Sequence, residues 1–346
     1  MARTAASSLV PAALLAALLA AAAGAQTRPP PPERPPYPDE LIPVDAVRGH
    51  LVEGWFVEPL GVAFDAEGQE LLVADSKNGL VGIYDPLGVP LFAFGGPQLL
   101  ADPRRLAVGR DGTIHVLDSS QSAIKRFSYR GEPLPPFIPV YPELDEVPAG
   151  AARASCFALG ADGSLVVGDG ERPQVLVYGP DGGFRLAIRP AKAAARFEAI
   201  SDVALSPAGL IAVADLKATP VQLFDREGRF VRGFGGRDIA REDFTAPVAV
   251  EFDEQGRLFV VDMLRHDVKI YDADGTFTGQ FGGWFSPESR GSRPGEMLYP
   301  TDIAIAPGGL VYVAERFGNR VQIFRRTPRD PDGKPRLPLP SVRPPN

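Results

Sequence analysis

Residues 315–324 read ERFGNRVQIF: an acid, a polar turn, then an alternating apolar run that closes on an aromatic nine positions after the acid. The same spacing recurs along the chain. Asp75 leads to Tyr84, Asp118 to Phe127, Asp169 to Tyr178, Asp215 to Phe224 and Asp262 to Tyr271, and Glu315 with Phe324 makes the sixth pair. An apolar piece precedes each acid (LLVAD, IHVLD, LVVGD, IAVAD, LFVVD, VYVAE), and an alternating piece precedes each aromatic (LVGIY, AIKRF, QVLVY, VQLF, VKIY, VQIF). Alternation of period two, rich in Val and Ile, is a strand signal.

Two more strands flank each pair. Nine residues before Gly68, Gly112, Gly256 and Gly309 stand Pro59, Pro103, Pro247 and Pro300; Ala154 and Ile200 hold that place before Gly163 and Gly209. The segments between (LGVAF, RRLAV, SCFAL, SDVAL, VAVEF, TDIAI) read as strands ending in glycine turns. Past each aromatic, Gly88, Gly131, Gly182, Gly228 and Gly275 introduce a fourth strand such as PLFAFGG or RFVRGFGG. The acids stand 43 to 53 residues apart. A four-stranded unit with that period is a propeller blade, because one small sheet cannot bury both its faces alone. The chain is therefore expected to be all-β, a six-bladed β-propeller of four-stranded antiparallel blades over 44–326. The sixth unit lacks a fourth strand, while VRGHLVEGWF (47–56) stands spare before the first. That segment is expected to close the ring as an N-terminal strand on the outer edge of the last blade.

These phrases resemble the NHL repeat family, best in PLGVAFDAEGQELLVADSKNG (59–79), VADLKATPVQLFDREGRFVRGFGG (213–236) and YVAERFGNRVQIF (312–324), and less well in units two and three. The resemblance implies a six-bladed β-propeller but no single activity. Members of the family include ligand-binding sensor domains, scaffolds, RNA-binding domains and a zinc-dependent lyase of amidated-peptide synthesis.

The flanks differ in kind. Arg3, the apolar run from Leu9 to Ala22 and Ala23-Gly24-Ala25 match a secretory signal over 1–25, with a retained anchor as the alternative. No later segment reaches transmembrane length, so the expected location is periplasmic or extracellular. Residues 26–43 and 327–346 are Pro-rich and read as a linker and a disordered tail. The single cysteine, Cys156, excludes an intramolecular disulfide. The net charge of −7 argues against nucleic acid as a partner. The disc is expected to be monomeric.

Six equivalent copies seldom make one active site, so Asp75, Asp118, Asp169, Asp215, Asp262 and Glu315 are expected to be structural, accepting backbone N–H groups of the following turn. Function should reside in what differs between blades. The second and third residues of each innermost strand are expected at the channel mouth. These are Leu60-Gly61, Arg104-Arg105, Ser155-Cys156, Ser201-Asp202, Val248-Ala249 and Thr301-Asp302. Nearby loops offer Arg172, Lys217, Arg265, His266 and Arg316, and the connection 282–300 offers Trp284-Phe285 as an aromatic anchor. His50, in the expected closing strand, His115, in IHVLD, and His266, in a loop, lie on three structural levels, which disfavours a three-histidine zinc site. Asp202 and Asp302 are the candidate calcium ligands; otherwise no cofactor is expected. The residues favour a binding or scaffold module for a protein, peptide or envelope polymer. The alternative is a calcium- or zinc-dependent hydrolase or lyase at the channel mouth.

Overall fold

A computed structural model describes residues 40–327 apart from 51, 53, 122, 145, 146, 193, 194, 238 and 285–293. The expected secretory signal, most of the Pro-rich linker, the tail from 328 and Phe285 lie outside the described residues. Six four-stranded antiparallel sheets form the blades, and two two-stranded ladders decorate the connections. Blades 1 to 5 are each built from four consecutive strands, beginning at Pro59–Asp65, Pro103–Val108, Ala154–Leu159, Ile200–Leu205 and Pro247–Phe252. Blade 6 takes Pro300–Ile305, Leu310–Glu315 and Arg320–Thr327, and its outermost strand is Glu40–Val47 from the other end of the chain. The fold is a six-bladed β-propeller closed by its N-terminal strand.

The closing strand lies earlier than the sequence pattern suggested. Glu40 pairs with Thr327 and Val47 with Val321, so 40–43 leave the expected linker and 48–56 become a connection. Pro43 is tolerated because the strand is an outer edge and its register slips between Pro43 and Asp45; a missing N–H is harmless at an edge or a bulge. His50 correspondingly lies beyond the strand. It is buried, with Nδ1 2.8 Å from Tyr84 Oη and Nε2 3.3 Å from Asp75 Oδ2. A Cβ on Gly82 would come within 2.7 Å of this ring, so the glycine makes room for the histidine.

Each blade packs on the next through one apolar cluster. The recurrent aromatics Tyr84, Phe127, Tyr178, Phe224, Tyr271 and Phe324 are all at most 2% exposed, and each joins the cluster shared with the preceding blade. Burial of one such ring stabilises by about 1.5–3 kcal/mol. The repeat therefore encodes the blade interface as well as the blade.

The repeated acids tie the connections down. Asp215 accepts the N–H groups of Glu198 and Ala199 from the incoming connection and those of Lys217 and Ala218 from its own turn. Asp75, Asp118 and Asp262 likewise accept from residues 16 to 18 positions upstream. Glu315 accepts from Leu298 N and Arg320. Asp169 departs from this, holding Glu171 N and the Gln174 amide. Apart from Asp169, the acids thus tie incoming connections to one face of the disc, which carries the blade-to-blade connections and the turns between second and third strands. This is called the connection face below, and the opposite side the hairpin face.

Candidate functional site

All six innermost strands slip register between their first and third residues. Such a bulge re-aims side chains, and it separates neighbours that the sequence reading grouped together. Arg104, the bulged residue, stays on the connection face, where its guanidinium meets Asp102 at 2.9 Å and Ser119 Oγ at 3.0 Å. Arg105, the next residue, enters the channel. It reaches Asp302 at 2.6 Å and Asp202 at 3.7 Å, and it donates to Thr301 O and Val248 O at 3.1 and 2.6 Å. One side chain of blade 2 therefore contacts blades 4, 5 and 6.

The two carboxylates are shared further. Asp202 accepts the Val250 N–H and Asp302 the Val62 N–H, both at 2.9 Å, so each brackets its own blade to the next. Burial raises Asp202 to about 7 against the pull of Arg105, and it raises Asp302 as well. Burial alone would lower Arg105, but the two carboxylates outweigh it and hold the guanidinium charged. Cys156, at the same level, is fully buried and its thiol is pushed up to about 12 by that burial, so it is a poor nucleophile.

Beyond this plug, toward the hairpin face, a void of about 180 Å³ is lined by Ala63, Ala107, Ala158, Ala304 and Glu251 among others. The ring position occupied by Glu251 in blade 5 is alanine in every other blade. Burial, with Asp202 and Asp302 nearby, raises its carboxyl to about 8. Among the described residues, no three His, Cys, Asp or Glu side chains converge in a metal-binding arrangement. His115 is buried in its strand and lowered to about 4 by that burial.

The other expected residues divide. Arg265 donates to Ala240 O at 2.7 Å and Thr245 Oγ1 at 3.2 Å, so it pins a connection. Arg172 and Lys217 are exposed on blades 3 and 4. His266, Trp284 and Arg316 come together in an aromatic strip over blades 5 and 6. Trp284 stacks on His266 with centroids 5.7 Å apart, and His266 meets Tyr299 edge-on at 4.8 Å. Tyr299 meets Phe317 edge-on at 5.0 Å, and the Arg316 guanidinium lies 5.3 Å from the Phe317 ring. Arg316 is in turn ion-paired to Glu58 of the connection into blade 1.

The strip is held by backbone in an unfavourable region. Among the described residues four non-glycines have positive φ, and three of them are His266 (59°), Tyr299 (54°) and Asn319 (46°). This costs about 1 kcal/mol each. Local bonds hold them there: Tyr299 N donates to His266 Nδ1 at 3.1 Å, and Arg316 N donates to Tyr299 O at 3.0 Å. In the orientation that satisfies both its amide atoms, Asn319 donates to Val57 O at 2.8 Å. The outer rings nevertheless face solvent: Trp284 is 62% and Phe317 57% exposed, and Trp55, in the connection into blade 1, is 74% exposed.

Phe317, Tyr299 and Trp55 were not singled out by the sequence. A signal for Phe317 existed. The second residue after each repeat acid is Lys77, Ser120, Glu171, Lys217, Leu264 and Phe317, polar in four blades and apolar in the last two.

Fold and site together define a six-bladed β-propeller with a sealed channel mouth and an exposed aromatic strip. No protein-family model matches the chain, and no curated protein matches it in sequence. Among solved structures, it is similar to the crystal structure of selenomethionine-substituted virginiamycin B lyase from Staphylococcus aureus. The TM-score is 0.55 at 12% identity, over 83% of this chain and 99% of that one. At that identity the likeness shows the fold alone.

Proposed function

We propose that this chain is an exported NHL-type propeller that works as a binding or scaffold module. A protein, peptide or envelope-polymer ligand lies on its connection face, across the strip Trp284–His266–Tyr299–Phe317–Arg316. The supporting observation is the combination of exposed outer rings with a backbone held in the left-handed region. Rigid aromatic faces give large contact area at low entropic cost, and unfavourable backbone persists where the surroundings over-determine it.

The alternative, a calcium- or zinc-assisted hydrolase or lyase at the channel mouth, would have to recruit Asp202 and Asp302. Their oxygens already hold Arg105, Val250 N and Val62 N. Elemental analysis of the purified chain tests it: near-stoichiometric metal that disappears in Asp202→Ala and Asp302→Ala would replace the binding reading.

Fluorescence tests the binding reading directly. Both tryptophans of the chain, Trp55 and Trp284, are exposed on the connection face, so their emission reports on it. Oligomers of β-linked N-acetylhexosamine and proline-rich peptides serve as the first probes. A saturable change that Phe317→Ala abolishes supports the reading. A ligand whose affinity is indifferent to both Trp284→Ala and Phe317→Ala overturns it.

A further inference from the structure

The channel beyond Arg105 holds a carboxylate that no neighbour uses. Each innermost strand runs from the connection face toward the hairpin face, and the fifth residues of the six strands are Ala63, Ala107, Ala158, Ala204, Glu251 and Ala304. Small side chains at this level leave the void of about 180 Å³. One residue further on, Phe64, Val108, Leu159, Leu205 and Ile305 line it toward the hairpin face, and all five are partly accessible to solvent. The void is an apolar-walled pit with one acid in its side, the pattern of a small-ligand site.

Glu251 is the residue out of pattern. Five blades fill its place with alanine, so the frame does not need an acid there. Among the described residues its side chain has no hydrogen bond and no ion pair, yet it is partly accessible through the void. An inward-facing polar group without a protein partner costs about 1–3 kcal/mol.

The charges around it do not balance. Asp202, Asp302 and Glu251 line the void against a single cation, Arg105. Arg105 is already bonded to Asp302, Thr301 O and Val248 O. Burial, and then the two aspartates, raise the Glu251 carboxyl to about 8, with no pull from the guanidinium. An entering cation would find a carboxylate free to pair, and an anion would be repelled. Among the described residues the acids do not converge as metal ligands. One available carboxylate and apolar walls suit an organic cation better than a bare metal ion, which needs six or more oxygens if it is calcium.

We propose that the channel takes up a short-chain primary alkylammonium from the hairpin face, its head ion-paired to Glu251 and its chain between Leu205 and Ile305. The void has the volume of ~6 water molecules, room for a chain of about four carbons. The bound ammonium takes the place of the Glu251 proton, so binding near neutral pH releases that proton to solvent. The proposal is independent of the connection-face reading, because it uses no residue of the strip.

Calorimetric titration of the full chain with butylammonium, butanol, butyrate and calcium tests it. Above the Glu251 titration at about 8, butylammonium should bind with one equivalent and at least tenfold more tightly than butanol or butyrate. At pH 7 its binding should release protons, read as a heat that depends on the ionisation enthalpy of the buffer. Glu251→Gln should bring butylammonium down to the level of butanol. Glu251→Ala, which gives blade 5 the residue of the other five blades, should do the same in a chain that still melts cooperatively. Amide spectra of the unmutated chain locate the site without any variant, with shifts expected at Leu205, Glu251 and Ile305. Three equal head groups, no butylammonium binding at millimolar concentration, calcium binding more tightly than butylammonium, or shifts clustered at Trp284 and Phe317 would overturn the proposal.

Discussion

The channel mouth and the aromatic strip share the connection face and use residues outside the repeat, yet they spend them oppositely. At the mouth, Arg105, Asp202 and Asp302 satisfy one another and nearby backbone groups, and the assembly is buried. On the strip, Trp284 and Phe317 are braced from beneath and left open to water. Buried charge that is fully paired specifies a frame and offers little to a ligand. Exposed apolar surface on a rigid backing stabilises nothing inside the molecule, which is why we propose the strip as the ligand-binding surface.

The two regions should therefore separate under mutation. The strongest perturbation breaks both together. Deleting 40–47 removes the outer strand of blade 6 and the ring closure with it, and the melting temperature should fall by ~10 °C or more in calorimetry, at ~2–4 °C per kcal/mol for large domains. Trimming 333–346 should leave it within a degree or two.

Arg105→Ala strikes the mouth alone. It leaves two buried carboxylates without their cation and should cost about 3–5 kcal/mol in denaturant unfolding, while tryptophan emission on the strip stays unchanged. Asp202 and Asp302 are both raised by burial, so below their titration they are neutral and the loss should shrink in acid. A loss independent of pH would show that Arg105 acts through packing alone.

Trp284→Ala combined with Phe317→Ala reverses the pattern. Ligand affinity should drop by ~2 kcal/mol or more, as for a buried aromatic anchor, with stability altered by less than about 1 kcal/mol. A large stability loss with unchanged affinity would make the strip part of the frame.

Glu251→Gln gives the smallest effect and sharpens the frame side. Its carboxyl is raised to about 8 in the folded chain, against an ordinary value of about 4.3. Between these values the folded state keeps a proton that the unfolded chain has released. Native stability therefore falls as pH rises from about 4 to about 8. Glutamine mimics the neutral acid, so the variant should melt a few degrees higher at pH 8.5 and no higher at pH 4.

Much of this was visible in the sequence, unevenly. The Asp-to-aromatic spacing marked every second and third strand, and the glycine turns marked the first. The closing strand lies several residues earlier than its sequence pattern suggests, because ELIPVDAV reads like the end of a proline tract and an edge strand needs little alternation to pair. His50 reads as part of that strand, whereas it fills the space over Gly82. Arg104 and Arg105 looked like a pair until a bulge sent them to different environments. Glu251 and Phe317 were legible only as departures from their equivalents in other blades.

The sequence by itself determined the number of blades, the order of strands and the identity of the sealing acids, because each depends on local periodicity repeated in register. The tertiary structure alone decided which odd residues meet. Arg105 lies 97 residues from Asp202 and 197 from Asp302, and Trp284 is joined to Phe317 through His266 and Tyr299. Such meetings depend on bulges, on left-handed backbone and on closure of the ring, which place distant residues side by side without leaving a spacing to read.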